Sequence, residues 1–415
     1  MITSNLSGFY KKDLNERLEE IIRQCNLNKE EISILKGEKI DLKTLDLMSE
    51  NVIGLMQLPL SIATNFKINS KEYLIPMAIE ESSVVAAASN AAKLTLPEGF
   101  KAKASEQIMI GQIQVTDCKD IKEAIKNIEK NKEKLIRKGN EVDKTLIKFG
   151  GGIKDIQQRI MYTKQGKMLV IHLMVDVKDA MGANAVNSMC EALTESIEEI
   201  TKGKVGLRVL SNLALHRIVE AEAEWKKEVL GEKTIKGILN AFAFAEADVF
   251  RATTHNKGIM NGIDAIAIAT GNDFRAIEAG CHAFASLSGK YKPLTFFEET
   301  SEGNLKGSIK IPLAVGIVGG ATKVNPVAKI SLKILGVKTA KELSEVMASV
   351  GLAQNFAALK ALATEGIQKG HMKLHAKNLA IQAGAKGTEI ERIANQMIKE
   401  GKITQERAEE LLKNQ

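Results

Sequence analysis

Between residues 108 and 211 the sequence switches repeatedly between two hydrophobic periods, and that rhythm limits the fold more than any other feature of the chain. Ile108 to Val115 alternate as a strand, and Ile121, Ala124, Ile125 and Ile128 then fall at helical spacing. Ile156 to Thr163 and Met168 to Val177 read as two strands about a turn at Gln165 and Gly166. Asn184 to Ile200 reads as a helix, and Val205, Leu207 and Val209 alternate as a last strand. The order is β-α-β-β-α-β, the split pattern of ferredoxin-like modules. At 415 residues the chain is also too long for one ordinary core. The expected class is therefore α+β and multidomain. A large mixed helix and sheet domain, 1–105 with 216–365, would carry an inserted ferredoxin-like domain at 106–215 and a small helical C-terminal flap at 366–415.

Both ends of the chain read as helical. Asp13 and Glu16 have the spacing of a capping box ahead of an apolar stripe over 14–25. Thr388 and Glu391 have the same spacing, followed by a stripe of Ile390, Ile393, Ala394, Met397 and Ile398. Gly401 would stop that helix and Thr404 start the next. Gly370, Gly384 and Gly387 surround the start of this unit, which suggests a flap able to move.

Composition narrows the function classes. The longest uncharged apolar run lies between Lys310 and Lys323 and is interrupted by Gly316, Gly319 and Gly320, so no membrane span is expected. The N-terminus has no apolar core of a signal peptide, and cytoplasmic placement is the default. Cys25, Cys118, Cys190 and Cys281 lack metal or disulfide spacing and read as reduced, small apolar residues. The net charge of +7 permits anionic partners, although many lysines, as in 122–138, sit on solvated helix faces. An RNA-binding ferredoxin-like module would need stacking aromatics on its sheet. Strand 108–115 has none, and only Tyr162 stands near the other strands, so nucleic acid is not an expected partner.

Several segments gather chemistry. No GxGxxG follows a strand, and no Walker A is present. The turn Asp179 to Asn184 follows a strand and opens a helix, where Gly182 would let a phosphate approach backbone N–H groups. Phe149-Gly150-Gly151-Gly152 is a second glycine loop. Residues 251–262 place Arg251, His255, Asn256, Lys257 and Asn261 in what reads as a junction loop, and Gly271-Asn272-Asp273 reads as a polar turn ending a strand. A lysine and an aspartate from adjacent loops could pair beside a reacting carbonyl, or form an ordinary ion pair. Glu80 and Glu81 precede the apolar helix at Val84, either as residues complementing the helix dipole or as a proton source in a dry cleft. His371 and His375, at i and i+4, lack the glutamate of a zinc motif; a mobile general acid suits a histidine there better, and no metal is expected.

Taken in order, Glu50 to Gly54, PMAIEESSVVAAAS from Pro76, DAMGAN from Asp179, RATTHNKGIMNGIDAIAIATGND from Arg251, PLAVGIVGGATK from Pro312 and GHMKLHAKN from Gly370 resemble the hydroxymethylglutaryl-CoA reductase family, most closely its bacterial class II members, which have no membrane domain. The resemblance implies reduction of (S)-3-hydroxy-3-methylglutaryl-CoA to mevalonate and CoA, or the reverse, through two hydride transfers with NAD(P)H. It implies that Lys257 stabilises the oxyanion, Asp273 tunes Lys257, Glu81 supplies protons and His371 protonates the departing CoA thiolate. Arg251 would pair with the substrate carboxylate, and Ser83, Asn261 and Gln354 would hydrogen-bond the substrate. The turn Asp179, Met181, Gly182, Ala183 and Asn184 would cradle the dinucleotide pyrophosphate in the ferredoxin-like insertion.

The family's sites form across a dimer interface and class II enzymes often assemble as trimers of dimers, so a homodimer or hexamer is implied, with no nucleic-acid or membrane partner. Asp143 stands near the position where NADH-using members place an acidic residue on the adenosine ribose. That favours NADH, with NADPH as the alternative because Lys144 and Lys148 adjoin it. The arginine that follows the histidine in many members is Lys377 here, and the N-terminal basic contact for CoA is Tyr10, followed by Lys11 and Lys12. A CoA-binding homologue without reductase activity is the competing reading.

Overall fold

The computed structural model describes residues 2–38, 42–364 and 367–413. Ten strands are present among them: β1 (Leu60–Ile68), β2 (Lys71–Ala78), β3 (Phe100–Ala104), β4 (Ile108–Thr116), β5 (Gly152–Thr163), β6 (Gly166–Asp176), β7 (Lys204–His216), β8 (Ile218–Trp225), β9 (Thr295–Glu299) and β10 (Leu305–Pro312). They form two sheets with separate hydrophobic cores.

The larger sheet has the order β2-β1-β3-β8-β10-β9, antiparallel except for the β1–β3 pair. Strands β8 and β10 alternate buried and exposed residues, which is the signature of a sheet packed on one face. The helices Val84–Lys93, Val249–Ala269 and Ala340–Ala363 pack against this sheet and each other. At its centre the Trp225 indole stacks on Phe356 at 3.9 Å between ring centroids and donates Nε1–H to the Ala91 carbonyl. An indole N–H shut away from water needs such a partner.

Two expectations fail here for a common reason. Residues 251–262 are not a loop, and residues 263–269 are not a strand: Val249–Ala269 is one 21-residue helix. Asp248 caps it by accepting from Arg251 N at 2.8 Å. The helix is buried from Ala252 to Ala269 on most of its circumference, so its apolar residues show no single stripe. The Ala340–Ala363 helix, which no hydropathy run had marked, is long and apolar enough to cross a membrane by length and composition alone, with mean hydropathy 1.3 over an 18-residue window; two-thirds of that window is buried inside the protein. Its apolar length is accounted for by the core.

The smaller sheet runs β5-β6-β4-β7 and is antiparallel throughout, the strand order of a ferredoxin-like module. Ile121–Asn140, Ala183–Ala192 and Thr194–Thr201 cover one face with Ile128, Met189, Cys190 and Ile197. The single helix expected over 184–200 is therefore two, joined at Leu193. The chain enters this module between Ala104 and Ile108 and leaves it between His216 and Ile218.

Near the C-terminus, Ile367–Gln382, Thr388–Glu400 and Gln405–Lys413 pack around their own small core of Leu379, Ile393, Ala394, Met397 and Ala408. The expected capping box at Thr388 is not formed: Gly387 is the cap, without a side-chain bond, and Glu391 instead pairs with Lys377 at 2.7 Å. The Asp13–Glu16 box is formed, and Thr404 accepts from Arg407 N.

Candidate active site

Helix geometry decides which of the singled-out residues meet. Arg251, Lys257 and Asn261 all lie on the Val249–Ala269 helix, spaced so that they share a side facing the start of the Val84–Lys93 helix and the C-terminal half of Ala340–Ala363. Between these three helices is a cavity of about 510 Å³, lined by Glu81, Ser83, Arg251, Lys257, Asn261 and Gln354 among others. Six of the expected site residues, drawn from three separate segments, thus surround one space.

Lys257 Nζ lies 2.9 Å from Glu81 Oε2. Both side chains are partly open to solvent, so the dry cleft expected for this carboxyl is not found within one chain. Ser83 caps the Val84–Lys93 helix by position but with φ of 74° and no side-chain cap bond. A non-glycine residue held in the left-handed region is strained, and such strain concentrates at functional sites. Its hydroxyl makes no protein hydrogen bond among the described residues, and neither do the side chains of Arg251, Asn261 and Gln354. The Gln354 carbonyl oxygen is buried without a partner. Polar groups that converge on a cavity and remain unpaired are the mark of a site awaiting a polar ligand.

A buried network fixes the wall behind them. His255 Nε2 meets Thr295 Oγ1 at 2.6 Å, Thr295 donates to Asn355 Oδ1, and Asn355 Nδ2 donates to the His255 carbonyl. The threonine proton is spent on Asn355, so His255 Nε2 carries the hydrogen of that bond. Burial, with the Arg251 charge adding, pushes the imidazole down to about 3, which keeps it neutral. Sequence reasoning noted His255 as one of a polar cluster; nothing in the sequence marked Thr295 or Asn355.

The pair expected between Lys257 and Asp273 is not made within the chain. Asp273 caps the next helix, Phe274–Ala285, accepting from Arg275 N and Ala276 N and pairing with the Arg275 side chain at 3.2 Å. His371 lies on the Ile367–Gln382 helix, but its side chain falls outside the described residues. His375, one turn on, is exposed. Among the described residues no group of side chains is arranged to hold a metal.

A second, larger cavity of about 1320 Å³ adjoins the first and shares Glu81, Ser82 and Ser83 with it. Tyr10, Lys11 and Lys93 lie along it. In the small module, Asp143 caps the Lys144–Lys148 helix by accepting from Leu146 N at 2.8 Å. The glycine loop that follows packs against the end of β6: a Cβ on Gly151 would fall 2.7 Å from the Asp176 carbonyl oxygen. Gly182, with φ of 100° and Val177 pressed against it, opens the Ala183–Ala192 helix. The first N–H groups of that helix have no intrahelical acceptor, which suits an anion.

Comparison with known proteins decides the family. The family model described as hydroxymethylglutaryl-coenzyme A reductase matches residues 13–376. The chain belongs to the hydroxymethylglutaryl-coenzyme A reductase family. It is 56% identical over 413 residues to the 3-hydroxy-3-methylglutaryl-coenzyme A reductase of Archaeoglobus fulgidus, covering 99% of this chain and 94% of that one. The 3-hydroxy-3-methylglutaryl-coenzyme A reductase of Streptococcus pneumoniae shares its structure, with TM-score 0.83, 40% identity and full coverage of both chains. A structure of the class II reductase from the same organism, bound to NADPH in open conformations, matches with TM-score 0.82 and 40% identity over 97% of this chain and 99% of that one. The reductase family therefore supplies the reaction, an oxidoreduction in mevalonate metabolism.

Proposed function

We propose that this chain is a class II reductase whose 510 Å³ cavity binds the 3-hydroxy-3-methylglutaryl group and reduces its thioester to mevalonate, or runs the same steps in reverse. The observation that carries the reading is the convergence of Lys257, Glu81, Arg251, Ser83, Asn261 and Gln354 on that cavity, the last four without side-chain partners among the described residues. Arg251 offers a planar fork to the substrate carboxylate. Ser83, Asn261 and Gln354 hold the substrate hydroxyl and carbonyl.

The chemistry follows from charge. The nicotinamide supplies a hydride at each of the two reductions when it is bound. Charge then develops on the former carbonyl oxygen, and the Lys257 ammonium is placed to meet it. Glu81, in contact with Lys257, is the nearest carboxyl able to pass a proton to that oxygen. Departure of CoA leaves a thiolate prone to re-attack on the aldehyde. His371, on the C-terminal helical unit, is proposed to protonate it. Lys11 beside the larger cavity offers a cation to the CoA phosphates.

The small module fits a dinucleotide. Gly182 clears the approach to the Ala183–Ala192 helix start, and the Asp143 loop lies at the same end of the sheet. With Asp179, Met181, Ala183 and Asn184 around the pyrophosphate, Asp143 would meet the adenosine ribose. NADH is the proposed nucleotide, NADPH the alternative. The division into 1–105 with 216–365, 106–215 and 366–415 is supported by the separate cores of the two sheets and the C-terminal helices. All four cysteines are free thiols, in keeping with a cytoplasmic protein. Asp273 is proposed to reach Lys257 of a second copy, which makes the functional unit at least a homodimer, and a trimer of dimers is the proposed larger assembly.

The test is to follow absorbance at 340 nm with hydroxymethylglutaryl-CoA and either nucleotide, and with mevalonate, CoA and the oxidised nucleotides in reverse. Two nucleotides consumed per CoA released is the expected result. A folded protein that binds the acyl-CoA but turns over neither nucleotide would be a CoA-binding homologue instead.

A further inference from the structure

Arg217 lies between β7 and β8, where the chain leaves the small module, and is 1% exposed. Its Nε and Nη2 donate to Gln107 Oε1, its Nη1 to the carbonyls of Met181 at 3.0 Å and Ala180 at 3.3 Å, and its Nη2 to the carbonyl of Val315. Every acceptor is neutral. Burial works against the charged guanidinium, and only the more distant Asp176 and Asp179 favour it. A buried cation without a contacting carboxylate is costly, and an apolar side chain could fill the same space more cheaply. What arginine alone provides is a rigid fork of donors that orients several carbonyls at once.

Those carbonyls belong to the entry crossing, to the Asp179–Asn184 turn and to the segment after β10, while Arg217 itself sits at the exit crossing. Gln107 sits where the chain enters the module, and Val315 follows β10 of the large sheet. The turn is pinned further: Ile317 N donates to the Asp179 carbonyl, Ala340 N to Asp179 Oδ1, and Ala180 bridges Val318. Gly316, whose N–H is held by Asn272 Oδ1, approaches so closely that a Cβ there would lie 2.5 Å from Met181 N. Because a trans peptide is planar, drawing the Met181 carbonyl inward turns the Gly182 N–H the opposite way.

We propose that Arg217 is a positioning residue for the dinucleotide: it holds the Ala180 and Met181 carbonyls against the large domain, so that the N–H groups from Gly182 onward face the pyrophosphate. This rests on the reading of the Asp179–Asn184 turn given under Proposed function. The arginine contacts neither substrate nor nucleotide; it acts through the turn.

The experiment uses the full chain with Arg217→Met, Arg217→Lys and Gly316→Ala. Steady-state kinetics with each nucleotide are combined with titration of reduced-nucleotide fluorescence. For Arg217→Met, KM and Kd for the nucleotide rise at least about tenfold, while KM for hydroxymethylglutaryl-CoA and kcat at saturating nucleotide stay within about threefold. Arg217→Lys recovers part of the nucleotide affinity. Gly316→Ala pushes a methyl against Met181 N with the charge intact and gives the same split, which serves if the arginine variants do not fold. A purely structural role would lower Tm and the active fraction with both KM values unchanged, and that result overturns the inference. Wild-type protein that binds neither nucleotide overturns the reading of the turn itself, and this inference with it.

Discussion

Lys257 and Asp273 are separated by the C-terminal half of the Val249–Ala269 helix. Twelve residues separate Lys257 from the helix end at Ala269, about 18 Å of axial rise, and Asp273 lies beyond that end as the cap of the next helix. No side-chain rotamer closes that gap within one chain. A Lys257–Asp273 pair therefore requires two copies of the protein.

Mixing two inactive variants tests this directly. Lys257→Ala and Asp273→Ala should each abolish turnover while remaining folded. Co-folding equal amounts of both should restore about one quarter of wild-type activity, since half of the symmetric dimers are mixed and each mixed dimer has one intact site. Activity in either variant alone at near wild-type level would refute the assignment, and no recovery on mixing would refute the shared site.

A substitution at Arg251 tests whether binding can be separated from chemistry. Its guanidinium is half-buried in the cavity wall without an ion pair among the described residues. Arg251→Lys keeps the charge and loses the fork. We expect KM for hydroxymethylglutaryl-CoA to rise about tenfold or more with a smaller change in KM for the nucleotide, measured by initial rates.

Asp143 can be tested without disturbing its helix cap. Asparagine caps as well as aspartate, so Asp143→Asn keeps the bond from Leu146 N and removes the charge. The ratio of kcat/KM for NADH over NADPH should fall about tenfold, and Tm should hardly move. An unchanged ratio would take Asp143 out of nucleotide choice.

A titratable cluster away from the cavity makes stability depend on pH. Asp264, on the long helix, is pushed up to about 8 by burial first and then by Glu278; Glu278 is held low by the hydrogen bond from His282, whose imidazole it raises in turn. His282 Nδ1 also meets the Tyr291 hydroxyl at 2.7 Å. Folded Asp264 keeps a proton that the unfolded chain releases, so its contribution declines as pH rises from about 4 towards 8. The His282 contribution is present below its unfolded value and is lost as pH rises through the raised folded one. Glu278 acts only at the acid end, where its contribution is lost as pH falls. Calorimetry between about pH 5.5 and pH 8.5 should show Tm falling by a few degrees, and Asp264→Asn should flatten that slope. A wild-type Tm that rises over this range would contradict the arrangement.

What the sequence made legible depends on whether a segment has one buried face. The strands of the small module do, and Ile108 to Val115 or Val205 to Val209 alternate visibly as a result. The Val249–Ala269 helix is buried on most sides and carries Arg251, Lys257 and Asn261 among small apolar residues. It therefore resembled a polar loop followed by a strand. The cavity residues were found through motif order, but their meeting place was not, because it depends on three helices far apart in the chain. Arg217 gave no signal at all, since a single arginine at a strand end is ordinary until its acceptors are seen. The distance between Lys257 and Asp273 became apparent only once the segment between them proved helical.

Trp225, stacked on Phe356 in the larger core, is the only tryptophan in the protein. Indole emission consequently reports on one part of the molecule and is blind to the ferredoxin-like insertion and the C-terminal helices. A denaturation followed by fluorescence and by far-ultraviolet circular dichroism watches different territories. Any offset between the two curves would measure how independently the small module melts, with no label added.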